Sequence, residues 1–171
     1  MPPLSTFLFP ARPIRIYKQT HADSLLARAN FGPTNGVHFS QLGNNSTTQS
    51  NAPVQVKGMG GTGLLSGIVS IAAGTYYTCA VSATGAVYCW GQNNSGQLGN
   101  NSTTQSNVPV QVKGVGGTGL LSGIVSIAAG DYHTCALSTT GALYCWGWNP
   151  YGQLGNNSTM SSYVPVQVTG L

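Results

Sequence analysis

Charged side chains are scarce in this sequence. They account for 5% of its 171 residues, against about 25% in typical soluble proteins. Four of the six basic residues precede position 41, which leaves only Lys57 and Lys113 beyond it. Nucleic-acid binding requires clustered Lys and Arg to neutralise phosphates, so we expect no nucleic-acid partner. The hydrophobic share of 41% nevertheless favours a folded chain over a disordered one.

Long apolar runs are also missing. No stretch reaches the roughly 18 apolar residues that a membrane-spanning helix needs, so we expect no membrane partner. The segment Met1–Ala11 has no basic start, and Pro and Ser interrupt its apolar residues. It is therefore a poor match to a secretory signal and indicates no export route.

What the chain does contain is a long internal repeat. Residues 41–96 return as residues 97–152 with ten differences in 56 positions, and a partial third copy covers 153–171. A fixed period of this length predicts a repeat architecture in which each unit packs on its neighbours. Residues 1–40 do not continue the repeat. We expect them to form a poorly ordered leader, in which Ser24–Ala29 has the composition for one or two helical turns.

Each repeat unit has the pattern of short β-strands. The β-branched run Ile68–Ala73 is followed by Tyr76–Ser82, Ala86–Trp90 and, after a loop rich in Gly, Asn, Ser and Thr, Val108–Val112. Four short strands joined by turns in 56 residues are typical of a propeller blade. We therefore predict an all-β, β-propeller-type repeat with two complete four-stranded blades and partial flanking strands, which makes the propeller incomplete or closed by oligomerisation.

The register of the central hairpin follows from its turn. If Gly85 takes the left-handed position of a three-residue loop, Ser82 faces Ala86. Val81 then faces Val87 and Cys79 faces Cys89. The same register in the second copy opposes Cys135 and Cys145, at a distance that allows a disulfide.

Three interpretations of the four cysteines remain open. The register favours the disulfides Cys79–Cys89 and Cys135–Cys145, which would imply an oxidising, extracellular or cell-envelope compartment. The alternative is four buried free thiols that act as small apolar residues. A metal site is disfavoured because the spacing matches no common zinc pattern.

Candidate binding residues lie at one end of each blade. Strand polarity places the turn at 74–75 and the loop at 91–107 at the same end, where most nonconservative differences between the copies fall. Loops on a rigid sheet commonly carry binding residues, and exposed Trp and Tyr are favoured interface anchors. The alternative is drift at exposed tips, with local packing of the aromatic side chains. The candidates are Thr75, Tyr77, Gln92, Asn93, Asn94, Ser95, Asp131, His133, Trp148, Asn149, Pro150 and Tyr151.

Catalytic chemistry is not indicated. Asp131 and His133 would point to the same side of a strand, but no nucleophile accompanies them, and Asp131 is the only acidic residue after position 40. A structural role for His133 is favoured. We expect no catalytic residues, no metal and no cofactor, and we interpret Trp90 and Trp146 as packing residues.

Three segments of the second copy together resemble a known repeat. Gly130–Leu137, Gly141–Gly147 and Asn149–Gly155 resemble the regulator of chromosome condensation repeat, in a variant with paired cysteines that is similar to bacterial, apparently exported members. The resemblance implies a β-propeller, often seven-bladed. The family's functions include nucleotide exchange on a small GTPase, light sensing and inhibition of a β-lactamase, and they share a protein-binding face. Tyr77, which stands where the second copy has the family-like His133, departs from the pattern, as does the long linker Lys57–Gly67.

The leading functional hypothesis is a noncatalytic protein-binding module, a fragment or building unit of a propeller, with an unknown protein partner. The alternatives are an oligomeric carbohydrate-binding module and, by family analogy, a guanine-nucleotide exchange regulator. The third copy ends on the apolar segment Val164–Val168, which we predict to be a strand without a hairpin to join. We also expect a closed homo-oligomer of about three or four chains, aggregation, or a need for further chain.

Overall fold

The computed structural model describes residues 15–18, 25–28, 40–48, 50 and 52–170. The described residues form three antiparallel sheets, and the prediction of an all-β fold is confirmed. Two sheets are four-stranded blades and the third has three strands. The strands are β1 (Arg15–Lys18), β2 (Leu25–Arg28), β3 (Val54–Gln55), β4 (Ile68–Ala73), β5 (Tyr77–Ser82), β6 (Val87–Gly91), β7 (Ser106–Gln111), β8 (Ile124–Ala129), β9 (His133–Ser138), β10 (Leu143–Gly147) and β11 (Ser162–Gln167).

The blades straddle the sequence repeats. Blade 1 comprises β4 to β7 and blade 2 comprises β8 to β11, in each case with neighbours in chain order. Each blade therefore takes its fourth strand from the following copy. The expectation that the third copy ends on a strand without a hairpin is wrong, because β11 pairs with β10 through Cys145 and Val166. The partial copy completes blade 2.

The leader contributes strands to a further sheet. The prediction of helical turns at Ser24–Ala29 is wrong, since Leu25–Arg28 is a strand. Its pairing with β3 overrides the weak helical preference of these residues. Leu26 faces Gln55 in the same register in which Tyr88 faces Gln111. By register, β1, β2 and β3 thus occupy the second, third and fourth places of a blade. Of the rest of the predicted leader, only Ser40 is among the described residues.

The hairpin register and the disulfides are confirmed. Gly85 has a φ of +78°, and Val81 faces Val87. Cys79 is bonded to Cys89 and Cys135 to Cys145, each with a Cα–Cα distance of 4.1 Å.

Blade 1 stacks on blade 2 face to back. We call the side of a blade that carries its disulfide the front face and the opposite side the back face. The front of blade 1 and the back of blade 2 form one buried cluster. Blade 1 contributes Tyr77, Cys79, Val81, Val87, Cys89 and Val112 from its front face and Leu98 from the loop between β6 and β7, while Ile124, Ile127, Ala136 and Trp146 come from blade 2 and Leu121 from the segment before it.

The recurring Gln-Leu-Gly motif anchors Trp90 and Trp146. The backbone carbonyl of Gln97 accepts a hydrogen bond of 2.9 Å from Trp146 Nε1. Leu98 is buried beside it. Gly99 has a φ of +65°, and a Cβ there would lie 2.7 Å from Trp146 Nε1, so a side chain is excluded. Trp90 makes the same contact with Gln41 in blade 1, and both tryptophans are fully buried, as packing residues.

Candidate functional site

The turn after the first strand and the loop after the third strand meet at one end of each blade, as predicted. In blade 1, Gln92 N donates to Tyr76 O over 2.9 Å, and in blade 2 Trp148 N donates to Tyr132 O over 2.9 Å. We call this end of a blade its tip.

Two of the blade 1 candidates are used in the contact between blades. Thr75 Oγ1 donates to Asp131 Oδ1 over 2.6 Å. The Tyr77 hydroxyl donates to the backbone carbonyl of His133 and accepts a hydrogen bond of 3.0 Å from Thr134 Oγ1. Tyr77 is fully buried, so its side chain is not available to a partner.

Burial dominates the electrostatics of this junction. It raises the pKa of Tyr77 well above its usual value, and the Asp131 carboxylate raises it further, while the hydrogen bond from Thr134 acts in the opposite direction. The tyrosine is therefore a neutral hydroxyl that bridges the two blades.

A second group of candidates holds the tip loops in shape. Asn93 and Asn149 are fully buried. The Asn149 amide donates to the carbonyls of Ser158 and Met160 over 2.8 and 3.0 Å, and its Oδ1 accepts from Leu154 N over 2.8 Å. Asn93 makes the equivalent bonds in blade 1. These side chains are internal to the loops and do not face a partner.

The other candidate residues at the tip of blade 1 have polar side chains. Gln92 is buried at 8% exposure. Asn94 is exposed and Ser95 is half-buried.

Blade 2 carries an aromatic cluster at the same tip. The rings of Trp148 and Tyr151 meet edge to face at 5.3 Å between centroids. Tyr132 contacts Trp148 in the same way at 6.2 Å. Tyr151 is 84% exposed and Pro150 is exposed beside it. We call Tyr132, Trp148, Pro150 and Tyr151 the aromatic tip. The structure thus brings together three predicted residues and adds Tyr132, which comparison of the copies missed because Tyr76 is identical to it.

The remaining two candidates lie at the edge of this surface. Asp131 is exposed, with its carboxylate engaged by Thr75. His133 is half-buried on the front face of blade 2, in the place that Tyr77 occupies in blade 1. Within the described residues, no three His, Cys, Asp or Glu side chains are grouped to hold a metal ion. Nor does any described helix have the length and apolar character to cross a membrane.

Comparisons with known proteins agree with this geometry. A sequence profile of the regulator of chromosome condensation (RCC1) repeat matches residues 38–81, 84–137 and 140–171, and a second profile of this repeat matches 68–97 and 124–153. The chain belongs to the RCC1 repeat family. The ultraviolet-B receptor UVR8 of Arabidopsis thaliana is 36% identical over 131 residues, which are 77% of this chain and 28% of the receptor. A probable E3 ubiquitin-protein ligase, HERC4 of Rattus norvegicus, is 39% identical over 99 residues, which are 57% of this chain and 9% of the ligase.

Solved structures share the fold. Yeast RCC1 (Prp20) in its complex with Kap60 aligns with a TM-score of 0.67 and 19% identity, over 86% of this chain and 33% of the other. Prp20p of Saccharomyces cerevisiae aligns with a TM-score of 0.60 and 20% identity, over 86% and 36%. This chain therefore spans about a third of these RCC1 propellers.

Proposed function

We propose that this RCC1-repeat chain is a noncatalytic protein-binding module whose aromatic tip docks the partner. The observation that carries the proposal is the exposure of Tyr151, 84%, beside Trp148 on a loop that the buried, hydrogen-bonded Asn149 holds in shape. Exposed aromatic side chains on a rigid support are the anchors that most often dominate protein interfaces.

The rest of the tip supports an uncharged mode of recognition. Asp131 is the only Asp, Glu, Lys or Arg after Lys113 in the sequence, and Thr75 already engages its carboxylate. Affinity would therefore come from burial of aromatic surface and from neutral hydrogen bonds. We expect binding to depend only weakly on ionic strength, because few charges are available for screening.

The relatives support a protein partner without naming it. One solved structure is of yeast RCC1 bound to Kap60, and another concerns the binding of Prp20p to Gsp1p and histones. Those chains are about two and a half times as long as this one, so the partners named for them are theirs. A nucleotide-exchange function by analogy remains a weaker proposal, because this chain covers 33% and 36% of those chains.

A tip-exchange variant tests the proposal. The substitutions Trp148→Gln, Pro150→Asn and Tyr151→Ser give blade 2 the residues that blade 1 carries at the same positions, so the loop fold should be retained. A phage-displayed random peptide library would be selected on the unmodified chain. Selected peptides should lose at least about 30-fold in affinity for the variant, which corresponds to about 2 kcal/mol.

The control is the reciprocal region of blade 1. Asn94→Ala and Ser95→Ala should leave peptide binding unchanged. Peptides that bind the tip-exchange variant as well as the unmodified chain would refute the aromatic tip as the binding site. A drop in thermal stability equal to the loss of binding would instead assign Trp148 and Tyr151 to packing.

Carbohydrate binding is the second candidate. An open cleft of about 400 Å³ lies at the opposite end of blade 2, lined by the apolar side chains of Val115, Leu120 and Leu121 and by the hydroxyl-bearing side chains of Thr118, Ser122, Ser138, Thr139, Thr140 and Tyr144. Neutral hydroxyls and an aromatic ring suit a sugar. Binding of the unmodified chain to a glycan array, abolished by Tyr144→Ala and retained by the tip-exchange variant, would favour this function over protein binding.

We also propose that the module works as a building unit of a larger ring and folds in an oxidising compartment. The exposure of the apolar Leu137 on the front face of blade 2, 39%, supports a role as a building unit of a ring. The two disulfides support folding in an oxidising compartment. Native mass spectrometry of the purified chain should show a closed oligomer of about three or four copies. A stable monomer at micromolar concentration would contradict self-assembly.

A further inference from the structure

The two disulfides have the same place in their blades but different surroundings. Each joins the second and third strands with a sequence separation of 10 residues and a Cα–Cα distance of 4.1 Å. Each projects from the front face of its sheet. The front face of blade 1 is covered by blade 2, whereas the front face of blade 2 is open in the described residues.

The first disulfide is enclosed. Cys79 and Cys89 are both fully buried. Cys79 Sγ lies 3.9 Å from Thr134 Oγ1 of blade 2, and the flanking Val81 and Val87 are also fully buried. A thiol can therefore reach this bond only after the blades separate or unfold.

The second disulfide is less enclosed, on the side of Cys135. Cys135 is half-buried, while Cys145 is 2% exposed. Of the flanking residues, Leu137 is 39% exposed and Leu143 is half-buried. Solvent thus approaches the bond from the side of Cys135, which requires no separation of the blades.

We propose that Cys135–Cys145 is a thiol-exchange site on the native protein and that Cys79–Cys89 is a permanent structural bond. The co-reactant is a low-molecular-weight thiol such as glutathione. Its thiolate attacks Cys135 Sγ, a mixed disulfide forms at Cys135, and the Cys145 thiolate leaves. A second glutathione thiolate that attacks the glutathione sulfur of the adduct releases oxidised glutathione and leaves both cysteines reduced.

Exchange at this site would control the front face of blade 2. Back-to-front stacking of the kind seen between the two blades brings side chains into contact with the disulfide, as Thr134 contacts Cys79. A tripeptide on Cys135 occupies that space. The modified face could then no longer pack against another sheet, so thiol exchange and blade stacking would be mutually exclusive.

The lysines of the sequence make the test simple. Trypsin cuts after Lys57 and Lys113 and places the two disulfides in separate peptides, 58–113 and 114–171. The folded, air-oxidised chain would be separated by size, and the monomer, in which no second copy covers the front face of blade 2, would be treated with reduced glutathione, quenched with acid, alkylated, digested and analysed by mass spectrometry. Peptide 114–171 should acquire glutathione or free thiols at least about tenfold faster than peptide 58–113. Fragmentation should place the adduct on Cys135.

Two further measurements identify the native face as the reacting species. In denaturing guanidinium chloride the difference between the peptides should disappear, because both bonds close loops of the same length. In native buffer the rate at 114–171 should rise in proportion to the glutathione concentration, whereas a reaction that requires unfolding reaches a plateau at the opening rate. Equal rates in native buffer, earlier reaction of 58–113, an adduct on Cys145, or a plateau would each overturn the proposal.

Discussion

Blade 1 and blade 2 have nearly the same sequence and different roles. Val81 at the front of blade 1 is fully buried, while Leu137 at the same place in blade 2 is 39% exposed. On the back faces it is blade 2 that is the more buried. Its Ile127 is buried, whereas Ile71, at the same place in blade 1, is half-buried. Burial in this chain is therefore decided by which face has a neighbour. The residue type at a repeat position does not decide it.

The tips of the two blades also differ in what their side chains contact. Thr75 and Tyr77 of blade 1 bond to blade 2, and their counterparts Asp131 and His133 make no such contact in front of blade 2 within the described residues. Blade 2 instead carries the aromatic tip, where blade 1 has Gln92, Asn94 and Ser95. Repetition supplies the scaffold, and a few substitutions at one tip supply the candidate binding surface.

The largest expected contrast comes from a charge placed on equivalent front positions. Val81→Asp buries an unpaired carboxylate between the blades and should reduce the free energy of unfolding by about 4 kcal/mol or more. Leu137→Asp reaches solvent and should change it by less than about 1 kcal/mol. Denaturant unfolding of the two variants measures both values. Similar losses would mean that the faces are equally covered.

Positions inside the loops should show no contrast. Asn93→Ala and Asn149→Ala each remove a buried amide that makes several hydrogen bonds within its own loop, so each should cost about 2 to 4 kcal/mol. The same unfolding experiment applies. A difference between the two well above about 1 kcal/mol would show that the loops depend on a neighbouring blade, contrary to their internal bonding.

A smaller difference in stability is expected between variants at Tyr77 and at His133, which occupy the same place in the two blades. Tyr77→Phe removes the hydroxyl that bridges to His133 O and Thr134 and should cost about 1 to 2 kcal/mol. His133→Phe should be nearly neutral. Both would be measured by thermal unfolding, and equal effects would contradict the assigned bridge.

The same tyrosine predicts a pH dependence. Burial raises the pKa of Tyr77 in the folded state, so the neutral form contributes stability that is complete below the unfolded pKa of about 10. That stability is lost as pH rises above this value. The unmodified chain should therefore lose more stability above about pH 10 than Tyr77→Phe does, and parallel pH profiles would contradict a buried, neutral hydroxyl.

The smallest effect is expected at the exposed edge of the junction. Thr75→Val removes the bond to the Asp131 carboxylate, which is partly accessible to solvent, and should cost about 1 kcal/mol or less. Asp131→Asn, which keeps an acceptor oxygen, should cost less than Thr75→Val. Chemical denaturation resolves the pair, and the reverse order would indicate that the charge of Asp131 matters more than the hydrogen bond.

Features encoded within one hairpin could be predicted from the sequence. Strand alternation and Gly85 determine the register, and the register determines the disulfides. Features that depend on a second blade could not be predicted. Nothing adjacent to Tyr77 indicates that its hydroxyl enters the next blade. The place of β11 could be predicted, because it repeats the strand Val108–Val112, and the expectation of an unpaired strand overlooked that equivalence. The buried role of Asn149 was missed because its partners lie 5 to 11 residues further along a loop without regular structure.

A double-mutant cycle across the junction tests the central claim most directly. Tyr77→Phe and Thr134→Val, alone and combined, isolate the interaction between the Tyr77 hydroxyl and Thr134 Oγ1, which are 3.0 Å apart. Thr134 Oγ1 shares its one proton between the Tyr77 hydroxyl and Gln97 O, and the Thr134→Val variant alone measures the loss of both contacts. Stacking of blade 1 on blade 2 predicts a coupling free energy of about 1 kcal/mol. Additive effects, within about 0.3 kcal/mol, would contradict the stacked arrangement.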